Sequence, residues 1–113
     1  PSASMSVQVT FAQYDALFGD DPGTYLEFLT KLEASLWSAK RRLGDALLLG
    51  EGQVVSDVRH ALKPTLQMLG ASSFVDLLFS PVHPGAEADV KSQFDQAMDL
   101  VLAAVEAKKI NLE

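Results

Sequence analysis

The chain has no cysteine. That removes disulfides, thiolate metal sites and cysteine nucleophiles together, and makes a reducing compartment, the cytoplasm, the expected location. Positive charge is also scarce. Nine Lys and Arg stand against fifteen Asp and Glu, a net charge of −6, which argues against nucleic acid, whose phosphates call for clustered cations. The one basic run, Lys40, Arg41 and Arg42, reads as a solvated helix face. No apolar run approaches the length of a bilayer and no basic-then-apolar leader opens the chain, so membrane insertion is not expected. A Gly-rich phosphate loop after a strand is missing, as is any His-x-x-x-His or Glu-x-x-His spacing, so the sequence gives no reason to expect a metal or other cofactor. Strand-like alternation of useful length and internal repeats are absent as well.

What is present fits one domain. A chain of 113 residues, 48% of them apolar, can build a single hydrophobic core but not two. It begins with Pro1 rather than methionine, the mark of an excised or processed piece, and its end at 111–113 reads as an appended tail. Residues 1–9 lack a helical period and are expected to form a flexible lead-in; the domain proper is taken as 10–110. Thr10 and Gln13 have the spacing of a capping box ahead of a short helix, FAQYDALF, ending at Gly19. Asp21 can cap the next helix, with Pro22 at its first position, where the missing N–H costs nothing. Leu26, Leu29, Leu32, Leu36, Ala39, Leu43 and Leu47 form the stripe of that long helix, and Gly50 and Gly52 end it; Trp37 and Phe28 lie beside the stripe as core edge.

A further helix is expected from about Gln53 to Leu69, buried through Val55, Val58, Leu62, Leu66 and Leu69 and closed by Gly70. ASSFVDLLFS gives a short helix with Ser72 and Ser73 as caps, and SPVHPG, carrying His83, is the clearest loop. Val90, Phe94, Ala97, Val101, Ala104 and Val105 mark a last long helix. The fold class is therefore all-α. It closes most simply as an antiparallel, up-and-down four-helix bundle with a short N-terminal helix.

Only one face in this plan looks chemical. At about 100° per residue, His60 lies roughly 160° from both Val58 and Leu62, and so points away from the core. The same arithmetic gathers Gln53, Ser56, Asp57, Lys63, Pro64 and Gln67 within about 60° of it. A solvent-facing imidazole can act as a nucleophile through a ring nitrogen, and Lys63, one turn on, can offset charge on a group it accepts. Pro64 deletes the amide that would bond to the His60 carbonyl, at a cost of about 3 kcal/mol in an exposed helix interior. A bend there, tilting His60 outward, is one expectation; a tolerated kink without a role is the other. If the two helices meeting at Gly50 and Gly52 run antiparallel, Lys40 falls near His60.

The string His60-Ala61-Leu62-Lys63, with Gly70 ten residues after the histidine and Ala71 behind it, resembles the signature of histidine-containing phosphotransfer (HPt) domains. FGDDPGTYLEFLTKLEASL is similar to the family's opening of the preceding long helix, so the resemblance spans about residues 11–109. It departs from the family at Pro64, where glycine is usual. The resemblance implies a phosphorelay intermediate without kinase activity of its own. In it His60 would be phosphorylated and Lys63 would steady the phosphoryl group. Ser56, Asp57, Pro64 and Gln67 would form the docking face and Gly70 would be structural. The implied partners are a response-regulator receiver domain, which brings the magnesium ion, and a sensor histidine kinase. Such a bundle needs no dimer, and a monomer is expected. Two rival readings stay open: an all-α interaction module that is never phosphorylated, and an enzyme using His60 as a general base.

Overall fold

The computed structural model describes residues 5–113; the part of the expected lead-in at residues 1–4 lies outside them. Among the described residues there are five helices and no strand: α1 (Ala12–Phe18), α2 (Pro22–Leu49), α3 (Gly52–Met68), α4 (Ser72–Leu78) and α5 (Glu87–Leu112). α2 packs against both α3 and α5, α4 against α3 and α5, and α1 against α2.

Local chemistry explains most of the boundaries. Asp21 caps α2: its carboxylate accepts from the Thr24 amide at 3.0 Å and from the Thr24 hydroxyl at 2.7 Å. The hydroxyl bond leads in holding the Asp21 carboxyl below its ordinary pKa. α2 stops at Gly50, which takes the left-handed conformation at φ 70°, while Glu51 N–H donates to the Ala46 carbonyl at 2.9 Å. α3 stops the same way. Gly70 has φ 67°, its N–H donates to the Gln67 carbonyl at 3.0 Å, and Ala71 N–H donates to the Leu66 carbonyl at 2.9 Å, the paired bonds of a Schellman ending.

Two expected caps do not form. Phe11, not Thr10, precedes α1, and the Thr10 hydroxyl accepts from Ala12 N–H at 3.2 Å. The reciprocal half of a capping box needs the Thr10 amide, which instead donates to the Leu69 carbonyl at 2.8 Å. Ser72 and Ser73 do not cap α4 either. The cap position is Ala71, and Ser72 is already inside the helix because α4 starts immediately after the turn that closes α3.

The core runs along α2, α3 and α5: Leu29, Leu36, Leu43 and Leu47 from the first, Val58, Leu62 and Leu66 from the second, and Phe94, Ala97, Val101 and Val105 from the third. Phe74 and Leu78 plug it from α4. The predicted stripe of α2 holds, with Tyr25 added to it and Leu26 and Ala39 only half buried. Trp37 departs from its expected place at the core edge, being 52% exposed beneath the Lys40 ammonium.

α1, only seven residues long, is held by side chains rather than by its own helicity. Tyr14 and Phe18 stack with Phe28 and Tyr25 at ring-centroid separations of 4.9 to 5.1 Å. The Tyr25 hydroxyl donates to Asp15 at 2.9 Å, and Lys108 of α5 reaches the same oxygen at 2.9 Å. Ahead of α1, Met5, Val7, Val9 and Phe11 are half-buried against the core, alternating with exposed Ser6, Gln8 and Thr10. Residues 5–11 are thus an extended strap laid on the bundle, not a loose segment. At the other end, α5 continues through Leu112, which packs on the core, so that part of the expected tail belongs to the fold.

Candidate functional site

α3 is amphipathic, and burial of Val55, Val58, Leu62 and Leu66 fixes its rotation about its own axis. That rotation turns the opposite face outward: His60, Asp57, Lys63, Pro64 and Gln67 are exposed and Ser56 is half-buried. Gln53 is exposed on the same side, so the seven residues expected to share a face do so. α3 passes through Pro64 without interruption. Because proline has no N–H, the His60 carbonyl lacks its ordinary donor four residues on, and the ring of Pro64 sits in solvent where it disturbs no packing.

Gln53 Nε2 donates to an Asp57 carboxylate oxygen at 2.8 Å, one turn before the histidine. The other neighbour of His60 was not legible in the sequence. Phe79, at the C-terminal cap of α4, is 38% exposed, and its ring centroid lies 5.5 Å from that of His60 at an interplanar angle of 59°. The Lys63 ammonium stands 5.7 Å from the same centroid. One aromatic ring thus touches both the imidazole and the cation three residues after it. No sequence signal marks it: Leu78 and Phe74 anchor α4 in the core, and only the packing of α4 on α3 brings the adjacent Phe79 to the histidine.

Arg59, adjacent in sequence, faces elsewhere. With Leu47, Gly50, Val55, Val82 and Glu87 it lines a groove of about 340 Å³ beside the α2–α3 turn. Its Nε is buried without a hydrogen-bond partner among the described residues, and burial lowers the guanidinium pKa. Lys40, expected near His60, pairs with Asp99 of α5 at 2.6 Å. His83 is exposed in the loop before α5, where its carbonyl accepts from Ala86 N–H. Gly70, half-buried, does its work in the backbone at the end of α3. No group of three or more His, Asp or Glu side chains among the described residues could hold a metal ion, and no described helix is long and apolar enough to cross a membrane.

The arrangement offers a nucleophilic ring nitrogen on an open helix face, with a cation one turn away and a second aromatic ring bracing both. Such a surface leaves the imidazole and the ammonium open to solvent and to whatever approaches α3 from outside the bundle. Compared with known proteins, the chain matches no family model, no curated protein and no solved structure.

Proposed function

We propose that the chain is a histidine phosphotransfer module of a phosphorelay, accepting a phosphoryl group on His60 from a receiver-domain aspartate or a sensor histidine kinase and passing it on. The observation that carries this is the joint exposure of His60 and Lys63 on a helix whose other face is locked in the core. An exposed position on a helix face favours a protein partner over a small substrate, and so weighs against a general-base enzyme. Lys63 neutralises the phosphoryl charge, and Ser56, Asp57, Pro64 and Gln67 meet the receiver, which brings magnesium.

The contacts between α2 and α5 support the bundle topology that this reading requires. Glu33 pairs with Lys109 and Lys40 with Asp99, and the alkyl stem of Lys91 lies over Gly44. Positions on α5 fall as those on α2 rise, the register of an antiparallel pair. With the two-residue connection from α2 to α3, this favours an up-and-down bundle of α2, α3, α4 and α5 with α1 appended. The protein acts as a monomer in the cytoplasm.

Incubation with a phosphorylated receiver domain tests the assignment. The expected result is acid-labile, base-stable label on the chain, lost in His60→Gln. Absence of transfer from several receivers and kinases refutes it and leaves an unphosphorylated interaction module as the better reading.

A further inference from the structure

We propose that Phe79 is a positioning residue for His60: its ring orients the imidazole and holds the Lys63 ammonium beside it until a phosphoryl group arrives. The inference rests on the reading of His60 as the phosphoacceptor. It is carried by the one ring shared by both groups, 5.5 Å from the His60 ring centroid and 5.7 Å from the Lys63 ammonium.

Phe79 is built as a fixed platform. Its amide donates to the Val75 carbonyl at 3.2 Å, and Leu78 and Phe74, both buried, pin α4 against the core. The imidazole and the ammonium are on an exposed helix face, where long side chains otherwise sample many rotamers. A tilted contact between aromatic rings narrows the choice for His60. The ammonium lies close to the outer limit of a cation–π contact, about 6 Å, so the ring detains it without binding it tightly.

The transfer step makes use of that weakness. The unprotonated nitrogen of neutral His60 forms the N–P bond as the P–O bond of the aspartyl phosphate breaks. The electron pair leaves with the aspartate carboxylate, and the imidazole keeps its N–H proton. The phosphoryl oxygens then offer Lys63 a charge-assisted hydrogen bond, stronger than the ring contact. Lys63 moves from the face of Phe79 to the phosphoryl group, and in the reverse transfer it returns.

The test uses the whole chain, with Phe79→Leu, which keeps apolar bulk but has no π face, and Phe79→Tyr, which keeps the ring. In the unphosphorylated protein, NMR should show the Lys63 ε-methylene protons and the His60 ring protons displaced by the aromatic ring current in the wild type and in Phe79→Tyr, and released in Phe79→Leu. Phosphorylation of wild type with phosphoramidate, whose P–N bond breaks with loss of ammonia, should release the Lys63 signals alone towards their Phe79→Leu positions. The rate of label transfer from a receiver should fall about two- to twelvefold in Phe79→Leu, the factor corresponding to the ring–ring contact that keeps His60 oriented through the step, and recover in Phe79→Tyr. Identical Lys63 and His60 resonances in wild type and Phe79→Leu, or equal transfer rates in all three proteins, overturn the proposal. If wild type itself takes no phosphoryl group from either donor, the phosphotransfer reading has failed and Phe79 loses this role with it, whatever the resonances of the unphosphorylated protein show about the contact.

Discussion

Substitution of Gly70 by alanine probes the junction where the N-terminal strap meets the end of α3. Gly70 has φ 67°, a conformation that costs an L-residue with a side chain about 1–2 kcal/mol. A β-carbon there would stand 2.5 Å from Thr10 Cγ2, too close for two carbons, so Thr10 must move. Thr10 also holds the strap down through its N–H bond to the Leu69 carbonyl at 2.8 Å, and losing that bond costs about 1 kcal/mol more. The expected destabilisation of Gly70→Ala is therefore about 2–3 kcal/mol, read as a lower urea midpoint, with a fall in Tm of roughly 10 °C for a domain of this size. Thr10→Ser separates the two parts, because it deletes Cγ2 while keeping the hydroxyl that accepts from Ala12 N–H. In the Thr10→Ser background Gly70→Ala should cost only the backbone part, a coupling of about 1 kcal/mol between the positions. Additivity within about 0.3–0.5 kcal/mol, the usual finding for independent sites, would refute the account of the strap as packed against Gly70.

Other perturbations address the site and the core. Lys63→Ala should slow phosphotransfer to His60 about tenfold, the factor for a charge contact worth about 1.4 kcal/mol in the transition state, while leaving the urea midpoint in place; an unchanged rate removes Lys63 from the mechanism. Pro64→Ala should raise stability by up to about 3 kcal/mol, since α3 continues through residue 64 as an exposed helix interior. If Pro64→Gly transfers phosphoryl groups as wild type does, Pro64 has no part in presenting His60. Leu66→Ala, at a fully buried position of α3, should cost about 2–5 kcal/mol by chemical denaturation. Acid should weaken the seating of α1. Lys108, and after it Tyr25, hold the Asp15 carboxyl below its ordinary value, so the contribution is present above the unfolded pKa near 4 and is lost as pH falls through the lower folded one. Asp15→Asn should flatten that acid limb of the stability curve, and an unaltered limb would show that the Asp15 cluster does not contribute.

Several features were legible in the sequence because they are local. Asp21 with Pro22, Gly50 and Gly70 mark helix ends through chemistry that involves only their near neighbours, and each boundary falls where that chemistry puts it. The period of Val55, Val58, Leu62 and Leu66 fixed which way α3 turns, and hence the exposure of His60, Lys63 and Pro64, before any partner helix was known. Tertiary structure decided the rest. The alternation of Met5, Val7, Val9 and Phe11 is too short to announce a strand, and it matters only because Leu69 offers a carbonyl and the bundle an apolar surface to lie on. Ser72 carries capping chemistry that goes unused, and Thr10 gives its hydroxyl to Ala12 N–H but its own amide to Leu69 rather than to Gln13, since whether a cap forms depends on what else has bonded to the groups concerned. Lys40 finds Asp99, fifty-nine residues away, rather than the histidine. Phe79 is the sharpest case. In the sequence it is one more apolar residue at the end of a short helix, and only the seating of α4 on α3 brings its ring against His60 and Lys63. Periodicity determines which face a helix shows; which side chains meet across that face depends on helices placed by packing between residues far apart in the chain.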